Sequence, residues 1–143
     1  MYSRKLKDIR ENYDLKQSEI AEILKTTQSN YSRWENGTEF IPLKKLTILC
    51  NFFNINMDYA MGLSKEIKNN GKHNLDSTTI GNNLKKLRKE KNITQLELAK
   101  LLNTSQSTVS AYEAGKTILL TAFAYQICKK YNISLDWLCG RIK

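Results

Sequence analysis

The chain has 143 residues, 41% hydrophobic and 26% charged, with a net charge of +9 and an isoelectric point near 9.5. This balance is ordinary for a folded soluble protein, and no apolar run approaches the roughly 20 residues that a membrane span takes. The opening Met1-Tyr2-Ser3-Arg4-Lys5 runs into an amphipathic pattern without the apolar stretch of a secretory leader, so a cytoplasmic protein is expected.

In chain order, the apolar spacing predicts helices over 3–12, 16–24, 28–36, 42–53 and 57–61, with Pro42 suited to a first helical turn. Residues 64–78 are polar, rich in Asn and Lys, and read as a linker. Its start can extend the preceding helix by a turn, and Ser77, Thr78 or Thr79 can cap the next. Ile80, Leu84 and Leu87 then share one helical face that Asn92 ends. A capping box, Thr94 with Glu97, opens a helix that buries Leu98, Ala99, Leu101 and Leu102. After Asn103-Thr104, Ser105 caps a third helix over 106–114, which Gly115 stops. Helices over 121–131 and from Ser134 to near Gly140 complete the chain.

The second series repeats the first. One ungapped offset of 78 brings Leu6, Arg10, Gln17, Ala21, Gln28, Ser29, Glu35, Gly37, Cys50, Asp58 and Gly62 onto Leu84, Arg88, Gln95, Ala99, Gln106, Ser107, Glu113, Gly115, Cys128, Asp136 and Gly140. The expected organisation is therefore all-α, with five-helix domains over 1–63 and 79–143 joined by the linker at 64–78. Charge is uneven: nine basic residues face eight acidic ones in 1–63, three face two in 64–78, and eleven face four in 79–143. The basic excess suits an anionic partner and sits mostly in the second copy.

Each copy holds two short helices joined by a tight turn, the third helix of the domain opening on small polar residues. The strings Gln17-x-x-Ile20-Ala21 with Gln28-Ser29-Asn30-Tyr31-Ser32-Arg33-Trp34-Glu35-Asn36-Gly37, and Gln95-x-x-Leu98-Ala99 with Gln106-Ser107-Thr108-Val109-Ser110-Ala111-Tyr112-Glu113-Ala114-Gly115, resemble the Cro/C1 repressor family. The closing Ile133-Ser134-Leu135-Asp136-Trp137-Leu138-Cys139-Gly140 is similar to that family's last helix. The resemblance implies two lambda-repressor-like helix-turn-helix domains that bind double-stranded DNA and act in transcription regulation, most simply by repression.

The chemistry of the third helix agrees with that implication. Only short or amide side chains at an exposed helix tip reach base edges without wedging the helix out of the major groove. Gln28, Ser29 and Asn30 supply such a tip in the first copy, and Gln106, Ser107 and Thr108 in the second, with Thr27 and Ser105 just ahead of them. Arg33, one turn on, suits a phosphate or a guanine; Ala111 replaces it in the second copy, so the two copies are expected to prefer different half-sites. Gln17 and Gln95 stand where a helix N-terminus holds a phosphate oxygen, and Lys116 follows the second reading helix. In the family, the glutamine at this position also supports the first residue of the reading helix.

Arg10 with Glu35 and Arg88 with Glu113 resemble the family's internal ion pair and are assigned to structure, as Trp34, Tyr112 and Trp137 are to packing. The first copy departs from the pattern at Lys16, Tyr31, Glu22 and Glu39, so the second is expected to supply most of the DNA affinity. Three cysteines without C-x-x-C spacing and a lone His73 give no metal site, and Cys50 and Cys128 fall on apolar faces. No cofactor, small-molecule ligand or catalytic constellation is expected. The linker's fully extended reach of roughly 50 Å lets one chain engage successive grooves about 34 Å apart as a pseudo-dimer, and a homodimer is the alternative. A rival reading is a protein-interaction module, an antitoxin or a bridging factor. Antitoxins usually add a neutralising extension, and three residues follow Gly140.

Overall fold

The computed structural model describes residues 2–143, which form ten helices among the described residues. They divide into two compact units, one reaching to Asn74 and the other running from Leu75 to Lys143. The first holds α1 (Tyr2–Asn12), α2 (Gln17–Ile23), α3 (Gln28–Glu35), α4 (Leu43–Phe53) and α5 (Met57–Ala60). The second holds α6 (Ser77–Glu90), α7 (Gln95–Leu102), α8 (Gln106–Glu113), α9 (Thr121–Tyr131) and α10 (Leu135–Leu138).

In each unit one apolar stripe per helix converges on a single core. Leu6, Ile20, Leu24, Leu46, Leu49 and Met57 are fully buried in the first unit, and Ile80, Leu84, Leu98, Val109, Ile127 and Leu135 in the second. Each such side chain contributes about 1.5–3 kcal/mol by leaving water. Ala21 and Ala99, buried on α2 and α7, leave room for the neighbouring helix. Cys50, Cys128 and also Cys139 are buried. Leu101, expected in the core, is only half-buried, because it flanks the stripe made by Leu98, Ala99 and Leu102.

Helix ends follow from cap chemistry. Thr94 Oγ1 accepts from Glu97 N at 3.0 Å and Glu97 Oε1 from Thr94 N at 3.0 Å, a complete capping box. In the first unit Lys16 offers no acceptor, and only the reciprocal half survives, Lys16 N donating to Glu19 Oε1 at 2.9 Å. Pro42 lies one position outside α4 as its cap, with φ −60°. Neither Ser77, Thr78 nor Thr79 caps α6: Asp76 does, its Oδ1 accepting from Thr78 N at 3.1 Å, because its carboxylate is a strong acceptor placed ahead of them.

The duplication is written in the backbone as well. Asp14, Lys25, Gly37, Asn54 and Gly62 have positive φ, and so do Asn92, Asn103, Gly115, Asn132 and Gly140, each 78 positions later. These five turns recur in register, although only three of the five pairs keep the residue type.

Residues 64–73 do not extend α5 as a helix; they are tied to the first unit. Asn56 Oδ1 accepts from Lys68 N at 2.8 Å. Asn51 makes a two-way bond with the backbone of His73, donating to its carbonyl at 2.8 Å and accepting from its N–H at 3.2 Å. Only Asn74 and Leu75 separate this anchor from the Asp76 cap. The three residue steps from His73 to Asp76 extend to roughly 11 Å at most.

Candidate nucleic-acid interface

The third helix of each unit is fixed at its C-terminal end and free at its N-terminal end. Arg10 Nε and Nη2 donate to Glu35 Oε2 and Oε1 at 2.9 and 2.7 Å, and Nη1 donates to the Leu15 carbonyl at 2.9 Å. Arg88 repeats this on Glu113 at 2.7 and 3.0 Å and on the Ile93 carbonyl at 2.9 Å. Both carboxylates are buried. Burial pushes the Glu35 carboxyl up, but hydrogen bonds from Arg10 and Gln17 and the nearby Tyr31 hydroxyl bring it below its ordinary value. Tyr31 itself is fully buried, and burial followed by the Glu35 carboxylate raises its phenol well above the ordinary value. The fork geometry locks helix one against the end of helix three, so the opposite end of α3 or α8 is presented at a set angle.

At that opposite end Gln28, Ser29, Gln106 and Ser107 are exposed, with Asn30 and Thr108 half-buried behind them. Thr27 and Ser105 are the caps: Thr27 Oγ1 accepts from Asn30 N at 3.0 Å and Ser105 Oγ from Thr108 N at 3.2 Å. The cap orders the first turn, and the glutamine amides stand clear of it. Lys116 is exposed in the turn after α8, held by its own N–H on the Ala111 carbonyl at 3.0 Å.

Gln17 and Gln95 are placed differently from expectation. Their Nε2 atoms donate inward, to Glu35 Oε1 at 3.4 Å and Glu113 Oε1 at 3.1 Å, so these half-buried amides bind the carboxylate of the ion pair rather than the first residue of the reading helix. The buried carboxylate is the strongest acceptor within reach and takes one amide proton of each. Among the basic run of the second copy, Lys85, Lys86, Lys89 and Lys91 are exposed while Arg88 is spent on Glu113.

Around the tips the two units differ. Arg33 turns back along α3: Nη1 donates to Ser29 Oγ at 3.2 Å, Nη2 to Asn30 Oδ1, and Nε lies 3.3 Å from Glu39 Oε1. In the second unit Ser107, Thr108 and Ala111 join Tyr112, Thr117, Ile118 and Leu120 around a shallow, largely apolar basin of about 410 Å³. Glu39 is the participant that sequence reasoning missed as a site residue; its acidic charge beside a reading helix was the available signal. A second omission is the Asp136–Arg141 ion pair, 3.4 Å apart and almost wholly buried, which Leu63 in the twin position of Arg141 denies to the first unit.

Among the described residues no helix is long and apolar enough to cross a membrane, and no group of three or more His, Cys, Asp or Glu side chains is placed to hold a metal. A family model described as "Helix-turn-helix domain" matches residues 3–66, and one described as "Helix-turn-helix" matches residues 84–138. The chain is similar to the antitoxin PezA of Streptococcus pneumoniae, 39% identical over 64 residues, which are 45% of this chain and 40% of that protein. It is also similar to the uncharacterized HTH-type transcriptional regulator YobD of Bacillus subtilis, 30% identical over 66 residues, 46% of this chain and 59% of that protein. The chain thus spans less than two thirds of either relative. With a family model matched in each half, and a reading-helix layout in both, the chain carries two helix-turn-helix domains in tandem.

Proposed function

We propose that this protein is a sequence-specific double-stranded DNA-binding transcriptional regulator of Cro/C1 type, acting most simply as a repressor that occludes a promoter. The observation that carries the reading is the pair of exposed Gln-Ser tips on α3 and α8, each on a helix whose far end is locked by a buried ion pair. Gln28 and Gln106 suit bidentate contact with adenine, Ser29, Ser107 and Thr108 suit neighbouring base edges, and the Thr27 and Ser105 caps and Lys116 suit the phosphate backbone. Gln17 and Gln95 each give one amide proton to the ion pair and keep the second N–H, with the helix N-terminus, for a phosphate oxygen. The exposed lysines of α6 and the excess of basic over acidic residues in 79–143 favour the second domain as the main source of affinity. The reading is non-enzymatic and involves no cofactor.

Selection of bound duplexes from a random DNA pool by the full chain tests the reading. Enrichment of a defined site is expected, with Gln106→Ala weakening binding to that site by about tenfold or more and leaving non-specific binding unchanged. Recovery of unselected DNA at physiological salt refutes it.

Similarity to an antitoxin favours one second reading, a protein-interaction module built on the same fold. On that reading the Gln28 and Gln106 substitutions leave function in cells intact, whereas regulation through DNA is lost with them.

A further inference from the structure

We propose that Arg33 is the guanine reader of the first domain and that Glu39 is the positioning residue that reserves it for that task; this rests on the DNA-binding reading above. Asn30, which the amino-acid pattern offers as a base reader, is already engaged at both ends of its amide: Nδ2 donates to Thr26 Oγ1 at 3.2 Å and Oδ1 accepts from Arg33 Nη2. Ser29 Oγ takes one N–H of Nη1. A guanidinium has five N–H groups, so one on each terminal nitrogen remains, as many as the O6 and N7 acceptors of guanine take in a bidentate contact. Helical side chains lean toward the N-terminus of their helix, which carries the Arg33 head over the tip.

Glu39 is itself built in place. Its N–H donates to the Arg33 carbonyl at 3.2 Å, its carbonyl accepts from Tyr2 Oη at 2.9 Å, and Tyr2 stacks on Phe40 with ring centroids 4.5 Å apart. In the second domain the twins of Tyr2, Glu39, Arg33 and Asn30 are Ile80, Thr117, Ala111 and Thr108, so the arrangement belongs to the first domain alone. A carboxylate against Nε lowers the net pull of Arg33 on phosphate in any DNA, while leaving the free N–H groups to a neutral base edge that supplies two acceptors. Glu39 therefore lowers affinity for all duplexes and raises discrimination among them.

The test uses the full chain, with the duplex that it selects and the same duplex carrying 7-deazaguanine, which lacks the N7 acceptor, in the first domain's half-site. The natural chain is expected to lose about tenfold in affinity on that replacement. Arg33→Ala binds the two duplexes equally, and Arg33→Lys keeps the non-specific affinity. Glu39→Gln binds unrelated duplexes several-fold more tightly, with the slope of log affinity against log salt steeper by about one, and discriminates less. Thermal melts of the variants establish that each is folded. A selected half-site without an Arg33-dependent guanine overturns the proposal, as does a Glu39→Gln variant with unchanged or weaker non-specific binding. An Arg33→Ala variant that loses affinity equally on all duplexes, with a shallower salt slope, makes Arg33 a phosphate clamp and also overturns it. Failure of the natural chain to prefer any duplex is a different result, which defeats the DNA-binding reading itself.

Discussion

Arg88 holds Glu113 through Nε and Nη2 and, with the remaining nitrogen, holds the Ile93 carbonyl at 2.9 Å. One side chain thereby joins the first helix of the second domain, the turn before its second helix and the end of its reading helix. Glu113→Ala leaves a buried guanidinium without its carboxylate and is expected to cost about 3–5 kcal/mol. Chemical denaturation of the full chain, followed by probes in each domain, checks this; loss confined to the second domain is the expected pattern.

Acid acts on the matching pair in the first domain. The folded pKa of Glu35 lies below its ordinary value, so the stabilisation is complete above the unfolded carboxylate value near 4.3 and is lost as pH falls through the folded value. Melting of the first domain is expected to move to lower temperature below about pH 4, and Glu35→Gln to remove that part of the pH dependence while lowering stability at neutral pH.

Lys25 occupies a left-handed turn with φ 56°, where its twin is Asn103 with φ 55°. A lysine pays a steric penalty there that asparagine largely avoids. Lys25→Asn is expected to stabilise the first domain by about 0.5–1 kcal/mol, read as a rise in its melting temperature. No gain on this exchange contradicts the account of the turn.

Gly81 faces the reading helix of the second domain so closely that a Cβ on it would stand 2.3 Å from the Tyr112 carbonyl oxygen and 2.8 Å from that of Glu113. Gly81→Ala gains helix propensity yet is expected to destabilise by about 3 kcal/mol, because backbone must move. The twin position in the first domain is Ser3, so the reverse change, Ser3→Gly, carries no such clash to relieve and costs only the flexibility that glycine adds to a helix.

Much of this was legible in the chain itself. Helix positions followed from apolar spacing and from caps such as Thr94 and Ser105, and the arginine–glutamate locks from the resemblance to the Cro/C1 family. What escaped was set by competition between partners rather than by residue type. Gln17 and Gln95 carry amides fit for phosphate, and only the fold shows that one proton of each goes to a buried carboxylate. Asn30 is a base reader by chemistry, and only three dimensions reveal that Thr26 and Arg33 occupy its amide. Asp76 out-competed three hydroxyl residues as the cap of α6, a contest that a string of letters leaves open.

The grip of Asn51 on the His73 backbone, described above as an anchor, makes the chain's span an adjustable quantity. A duplicated reader on a loose leash tolerates many separations between its targets; one on a leash pinned near its root tolerates few. Asn51→Ala is expected to widen the range of half-site separations that selected duplexes contain, with each half-site unchanged. Spacing selectivity would then be a property of how the first domain folds, open to adjustment by a single amide far from any base.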